Sequence, residues 1–213
     1  MKAMVYDKFG PPDVLQLKEV EKPAPKENEV LIKIHATSPT VGDWRALRGT
    51  PFLVRFMMGP IKPKVKILGA DIVGQVEAVG SNTKRFQSGD DVFGDVSDCG
   101  RGGLAEYLCA REDVLALKPA SMTFEEAATV SFGAHTALQG LCDKGHIQPG
   151  QNVLINGASG GIGTFAVQIA KSFGAEVTGV CSTSKMDMVR LLGADHVIDY
   201  TKDDFTRRDS FMT

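Results

Sequence analysis

Val153-Leu154-Ile155-Asn156-Gly157-Ala158-Ser159-Gly160-Gly161-Ile162-Gly163 is the richest glycine cluster of the chain, and its reading decides the fold class. A short apolar run leads into small residues and then into a segment of helical length, which is the pattern of a strand, a tight turn and a helix. A pyrophosphate seated on such a turn needs three things: helix N–H groups aimed at it, bare backbone where it touches, and close packing of helix on strand. Each need selects a small residue. Ala158 is expected at the tight turn, Gly160 at the close approach and Gly163 at the packing contact, with Ser159, Gly161 and Ile162 filling the cradle between them. A glycine-rich turn alone is equally a plain structural turn; the strand before it and the helix after it are what make dinucleotide binding the stronger reading.

Working outward, Asn152 to Asn156 reads as a buried strand, Gly163 to Phe173 as a helix closed by Gly174, and Glu176 to Cys181 as a second strand. Ser184 to Leu192 reads as a helix closed by Gly193, and His196 to Tyr200 as a third strand. This β-α-β-α-β order predicts a parallel sheet with right-handed crossovers. Upstream the pattern differs. Val30, Ile32, Ile34 and Ala36 alternate with Leu31, Lys33, His35 and Thr37 in the period of a half-buried strand, and turns such as Gly10-Pro11-Pro12 and Ser88-Gly89-Asp90-Asp91 divide short apolar runs. A barrel-like or sandwich β domain is expected over 1–120. After Lys118-Pro119, Thr123-Phe124-Glu125-Glu126 has capping-box spacing before an apolar run of helical length, so a second domain is expected over 121–213.

Composition narrows the function classes. Lys+Arg 24 against Asp+Glu 26, with 43% hydrophobic and 23% charged residues, is the balance of a folded globular chain, so whole-chain disorder and a nucleic-acid surface are both excluded. No window approaches 18 unbroken apolar residues and the N-terminus lacks the core of a signal peptide, so no membrane partner is expected. Cys99, Cys109, Cys142 and Cys181 show no C-x₂₋₄-C spacing, which reads as isolated thiols in a reducing, cytoplasmic setting.

Which dinucleotide is bound depends on the end of the second strand, where NAD sites usually place an acid against the ribose. Here Val180-Cys181-Ser182-Thr183-Ser184-Lys185 has no carboxylate before Asp187. Hydroxyls and a lysine suit a 2′-phosphate, because they donate hydrogen bonds and positive charge where an acid would repel it. NADP(H) is therefore favoured, with Ser182 and Lys185 as candidate ligands; the alternative is that both merely cap and solvate the next helix.

With these segments in place the chain resembles the medium-chain dehydrogenase/reductase superfamily, and within it the zinc-free quinone oxidoreductase or zeta-crystallin-like branch. The resemblance rests on Thr40-Val41-Gly42-Asp43-Trp44-Arg45, on the run from Gly69-Ala70-Asp71 to Val79-Gly80, on Gly89-Asp90-Asp91-Val92-Phe93-Gly94, on Gly103-Leu104-Ala105-Glu106-Tyr107 and on Ala158 to Gly163. It implies an α/β fold with an N-terminal GroES-like β domain followed by a Rossmann, doubly wound parallel domain, and substrate in the cleft between them. It also implies that Lys185 and Tyr200 hold the 2′-phosphate and that Thr136 lies near the nicotinamide. Thr40 stands where the branch often has asparagine, as a donor to the substrate oxygen, and Asp43 and Trp44 would line the cleft or else cap a turn and pack.

Zinc members of the superfamily carry ligands in slots that here read Pro39-Thr40-Val41-Gly42, Ala70-Asp71 and Ser131-Phe132-Gly133, none of which suits a tetrahedral zinc, so no metal is expected. Without zinc to polarise a carbonyl, simple alcohol oxidation is disfavoured, whereas a quinone or an α,β-unsaturated carbonyl is electron-poor enough to accept hydride when it is aligned. The expected activity is NADPH-dependent reduction of such substrates. Alternatives are a zinc-type alcohol dehydrogenase relative, and a non-catalytic protein that binds through an exposed sheet edge. That edge arises because the sequence ends at Ser210-Phe211-Met212-Thr213, after three of the six strands of a full domain. Three readings follow: a fragment of a longer enzyme with weak or no cofactor binding of its own, a short form pairing its edge with a second chain as a homo-oligomer, and a remnant without catalysis.

Overall fold

Two short strands open the chain, β1 (Lys2–Val5) and β2 (Gln16–Glu19), paired antiparallel with Ala3 opposite Lys18. The structure, a computed structural model, describes residues 1–207; the terminal Ser210-Phe211-Met212-Thr213 lies outside the described residues. The alternating segment becomes β3 (Glu29–Ser38), followed by helices α1 (Val41–Arg48) and α2 (Leu53–Met58) and by strands β4 (Asp71–Val79), β5 (Asp91–Asp95), β6 (Tyr107–Arg111) and β7 (Leu115–Leu117). The strands from β3 on form one antiparallel sheet in the order β6-β3-β4-β5-β7. Val30, Ile32, Ile72, Val76, Val92 and Val96 make its core, and each buried valine or isoleucine contributes roughly 1.5–3 kcal/mol relative to exposure. Leu31, which the two-residue period places on the open face, is buried as well, and a register shift between Leu31 and Ile32 falls at this point of the β3–β4 pair.

The Thr123 capping box forms, with Glu126 N–H donating to Thr123 Oγ1 at 3.1 Å and Thr123 N–H donating to Glu126 Oε2 at 2.9 Å. The helix it starts, α3 (Phe124–Ala127), is one turn long rather than the long run expected, and α4 (Ser131–Leu138) begins separately before passing into a π-helical turn over Gln139–Lys144. Ala127 and Ala128 are buried against Val73 of β4, so α3 packs with the β domain. By its internal contacts the chain divides into two compact units, Met1–Phe132 and Gly133–Thr213, so the segment after Lys118-Pro119 that carries α3 belongs with the first.

In the second unit, β8 (Asn152–Asn156), α5 (Gly163–Ser172), β9 (Glu176–Cys181), α6 (Met186–Leu191) and β10 (His196–Asp199) alternate as the sequence implied. The strands are parallel in the order β10-β9-β8, the 3-2-1 half of a Rossmann sheet. Ala166, Val167 and Ala170 of α5 lie on one helical face and bury with Val177 and Val189. The segment expected to be helical from Ser184 starts as a tighter 3₁₀ turn, Thr183–Lys185, ahead of α6. At the far end of the described sheet, β8 leaves Leu154 37% exposed.

Candidate functional site

The carboxyl ends of the three parallel strands bring most of the expected cofactor residues to one edge. Asn156 pairs with Val180, and the N–H groups of Gly157 and Ala158 both donate to the Val180 carbonyl at 3.0 Å, which bends the chain sharply out of β8. The residue that needs conformational freedom in this bend is Gly157, at φ 76°. Ala158 lies in the turn and is fully buried, with its Cβ beneath Gly179 of β9. The packing role of Gly163 is as expected: a Cβ there would stand 2.1 Å from the Gly157 oxygen and 2.7 Å from the Ala158 Cα. Gly160 closes the turn by donating to the Gly157 oxygen at 2.9 Å. At Gly161 a side chain would meet nothing within 4 Å, so this face of the turn is open.

Helix geometry leaves the first N–H groups of α5 without intrahelical acceptors, and its N-cap, Ile162, provides no side-chain cap. Soluble helices usually satisfy these donors with a Ser, Thr, Asp or Asn cap. Thr164 N–H is already taken by the Gly160 oxygen at 2.9 Å, so an anionic group seated on the open glycine face would meet the other N–H groups of the turn and of the helix start. Ser159 is half-buried in the same turn.

One strand over, Ser182 leaves β9 and caps the turn Thr183–Lys185, where Lys185 N–H donates to the Ser182 oxygen at 2.9 Å. Lys185 is exposed. Tyr200, just past β10, donates its N–H to the Cys181 oxygen at 3.2 Å and leaves its ring largely exposed. Ser182, Lys185 and Tyr200 thus share one edge with the glycine turn. A groove there is lined by Asn156, Tyr200, Thr201 and Lys202 among others. Thr136 is half-buried on α4, whose Gly133 approaches the turn so closely that a Cβ would stand 2.6 Å from the Gly161 oxygen. Gly157 and Gly133 are the glycines that sequence reasoning left out of the site. The first was legible as a glycine placed directly after a strand; the second had no local signal.

Thr40 and Asp43, the candidates in the first unit, also come together, but as the reciprocal cap of α1. Thr40 Oγ1 accepts from Gly42 and Asp43 N–H at 3.1 and 3.3 Å and donates to Asp43 Oδ2 at 3.1 Å, while Thr40 N–H donates to the same oxygen at 2.9 Å. Asp43 Oδ1 accepts from Gly69 N–H at 3.0 Å and from Arg101 Nη1 at 2.6 Å. The hydroxyl hydrogen of Thr40 and both oxygens of Asp43 are therefore engaged within the protein. That arrangement shapes the α1 entry; it does not offer a free donor or base to a substrate. Tyr6 lies close by with its hydroxyl buried and unpartnered, and burial, opposed by Arg101 and reinforced by Asp43, pushes its pKa up to about 12.

Asp71, which the sequence places in the family-like run from Gly69 and in a replaced metal slot, carries a signal of its own. It opens β4 directly opposite Asp95, is buried, and accepts the Phe132 N–H at 2.9 Å. Burial pushes its carboxyl up to about 7 against the opposing effect of the Phe132 N–H, with Asp95 and Asp43 adding to the rise. Among the described residues no group of three or more His, Cys, Asp and Glu side chains is placed to hold a metal ion.

Comparison with known proteins agrees with this architecture. Residues 26–120 match the family profile described as Alcohol dehydrogenase GroES-like domain, and residues 161–213 match that described as Zinc-binding dehydrogenase. The chain is 37% identical to a 2-methylene-furan-3-one reductase of Solanum lycopersicum over 96% of its own length and 53% of the relative's. It superposes on the quinone oxidoreductase from Coxiella burnetii with a TM-score of 0.87 at 34% identity, covering 97% of this chain and 64% of that one. It superposes on the Escherichia coli quinone oxidoreductase complexed with NADPH with a TM-score of 0.82 at 28% identity, covering 96% and 60%. The chain spans little more than half the length of the curated relatives it matches.

Proposed function

The chain belongs to the quinone oxidoreductase branch of the medium-chain dehydrogenase/reductase superfamily, and from that premise we propose that it serves NADPH-dependent, zinc-independent hydride transfer to quinones or α,β-unsaturated carbonyls. The observation that carries the proposal is the uncapped start of α5 behind a glycine turn whose outer face is open. Backbone N–H groups of that turn hold the pyrophosphate, and Gly163 keeps the helix close enough to aim them. Ser182 and Lys185 donate hydrogen bonds and positive charge to the 2′-phosphate, with Tyr200 beside them. The strand β9 ends at Cys181 and Ser182 follows it, so no carboxylate repels that phosphate from the position where an NAD site would carry one. Thr136 stands on the helix that packs against the turn and is assigned to the nicotinamide side.

A reduced nicotinamide, when bound, supplies the hydride. Quinones and enones accept it without a Lewis acid, because their conjugation already lowers the energy of the acceptor, so alignment and hydrogen bonding of the developing oxyanion are what the protein must provide. Independence from zinc is supported by Ala70-Asp71 and Pro39-Thr40-Val41-Gly42 in the slots where the resemblance would place zinc ligands. Thr40 and Asp43 are assigned a positioning role, consistent with their mutual cap. No described helix is long and apolar enough to cross a membrane. The free thiols of Cys99, Cys109, Cys142 and Cys181 suit a reducing compartment such as the cytoplasm.

A fluorescence titration with NADPH and NADH, followed by NADPH consumption with a benzoquinone and an enone, tests the proposal. A preference for NADPH over NADH is expected, with binding and turnover by this chain alone weak, because its described parallel sheet presents strands β10-β9-β8 only. Equal affinity for the two cofactors overturns the NADPH assignment, and alcohol oxidation with about one zinc per chain overturns the zinc-independent one.

A further inference from the structure

We propose that Asp199 is a positioning residue for cofactor selection, which grips Thr183 and so holds the Ser182–Lys185 turn in the shape that presents Ser182 and Lys185 to a 2′-phosphate. The inference rests on the assignment of that turn to NADPH made above.

Asp199 is the last residue of β10 and stands in register with Cys181 at the end of β9. Its side chain is 5% exposed. One carboxylate oxygen, Oδ2, accepts the Thr183 hydroxyl. The other, Oδ1, accepts the Thr201 N–H at 3.0 Å and the Thr201 hydroxyl at 2.7 Å. The two threonine hydroxyls lie 3.2 Å apart, and Lys202 Nζ lies 3.6 Å from Oδ2. The carboxylate thus ties the turn after β9 to the turn after β10.

The tie has work to do. The turn Thr183–Lys185 is three residues of 3₁₀ helix, held internally by the Lys185-to-Ser182 hydrogen bond, and such short turns have poorer hydrogen-bond geometry than an α-helix. Thr183 follows Ser182 directly and lies inside the turn that the Lys185 N–H closes onto the Ser182 oxygen, so fixing Thr183 fixes the two residues that meet the ligand. A carboxylate near a phosphate would ordinarily repel it. Here its acceptor positions point into the protein at Thr183 and Thr201, and Lys202 offsets the charge. Hydrogen bonds from Thr183 and then Thr201 hold the Asp199 carboxyl down at about 2, so the charged form that grips most strongly persists at neutral pH. The arrangement turns an acid next to the selection site into support for an anion.

Asp199→Asn replaces one acceptor oxygen by an amide that only donates, and Thr183→Val removes the donor while keeping the branched shape; Thr183→Ser keeps the hydroxyl. The probes are adenosine 2′,5′-bisphosphate and adenosine 5′-monophosphate, with dissociation constants from calorimetry and melting temperatures measured alongside. Wild-type protein is expected to prefer the bisphosphate. Asp199→Asn and Thr183→Val are expected to lose about tenfold for the bisphosphate with the monophosphate unchanged, and Thr183→Ser to retain the preference. Retention of the preference by both Asp199→Asn and Thr183→Val overturns the positioning role and leaves the NADPH assignment standing. Equal loss for both probes also overturns it, since that is the mark of a merely structural residue. No preference in the wild type overturns the NADPH assignment, and this inference with it.

Discussion

Arg101 Nη1 lies 2.6 Å from Asp43 Oδ1, and the Asp43 side chain is only 3% exposed. The guanidinium therefore compensates a carboxylate that has left water, and the Gly69 and Thr40 N–H groups complete its shell. Removing one member of a buried pair strands the other charge and typically costs about 3–5 kcal/mol. Arg101→Ala is expected to lower stability by about 3 kcal/mol, near the foot of that range because the arginine keeps some contact with solvent. A urea melt with an unchanged slope and a lowered midpoint is the expected result.

Asp71 sets a pH dependence of the opposite kind from most carboxylates. Its pKa is raised in the folded state, to about 7, so the native form holds a proton that the unfolded chain releases near pH 4. Its contribution to stability is full below pH 4 and is lost as pH rises to 7, with a slope of up to about 1.4 kcal/mol per pH unit. Asp71→Asn keeps an oxygen for the Phe132 N–H and has no charge to bury. The variant is expected to gain on the wild type steadily between pH 4 and 7, which paired urea melts at several pH values would record.

How much of this was legible in the sequence depended on how local each signal was. Gly174 and Gly193 close their helices where expected, at φ 79° and 107°, because a chain reversal of that kind has few other solutions. The parallel strands were legible because buried runs such as Val177 to Cys181 have one reading between two helical segments. The length of α3 was not legible: its capping box is local, but Ala127 and Ala128 stop against Val73, which is 54 positions away from Ala127 in sequence. Helix α1 was overlooked although Thr40 and Asp43 have the same cap spacing as Thr123 and Glu126, and Gly49 ends it at φ 60°. At the site, the glycine turn was legible as a motif and the Thr40–Asp43 cap as a spacing, whereas the engagement of Asp43 Oδ1 depends on Arg101 and Gly69, which no spacing connects to it.

Zinc dependence gives a direct check on the chemistry. Thr40 Oγ1 donates to Asp43 Oδ2 and Asp71 Oδ1 accepts the Phe132 N–H, and among the described residues no group of three or more His, Cys, Asp and Glu side chains is placed to hold a metal ion. Purified protein is expected to hold well under one zinc per chain by elemental analysis, and prolonged chelation is expected to leave its melting temperature and NADPH affinity unchanged.

The two glycines at the start of α5 should separate packing from binding. An alanine at Gly163 would press its Cβ against the Gly157 oxygen at 2.1 Å, and because the neighbour is backbone the turn itself must shift. Overpacking of this kind typically costs about 1–3 kcal/mol, so Gly163→Ala is expected to lower both stability and cofactor affinity. An alanine at Gly161 meets no atom within 4 Å, so the fold should tolerate it fully. If a diphosphate lies against that bare backbone, the same methyl occupies its place. Gly161→Ala is therefore expected to melt within about 0.5 kcal/mol of the wild type yet bind NADPH at least about tenfold more weakly, a loss of about 1.4 kcal/mol. Unchanged affinity in a stable Gly161→Ala protein would place the phosphates elsewhere.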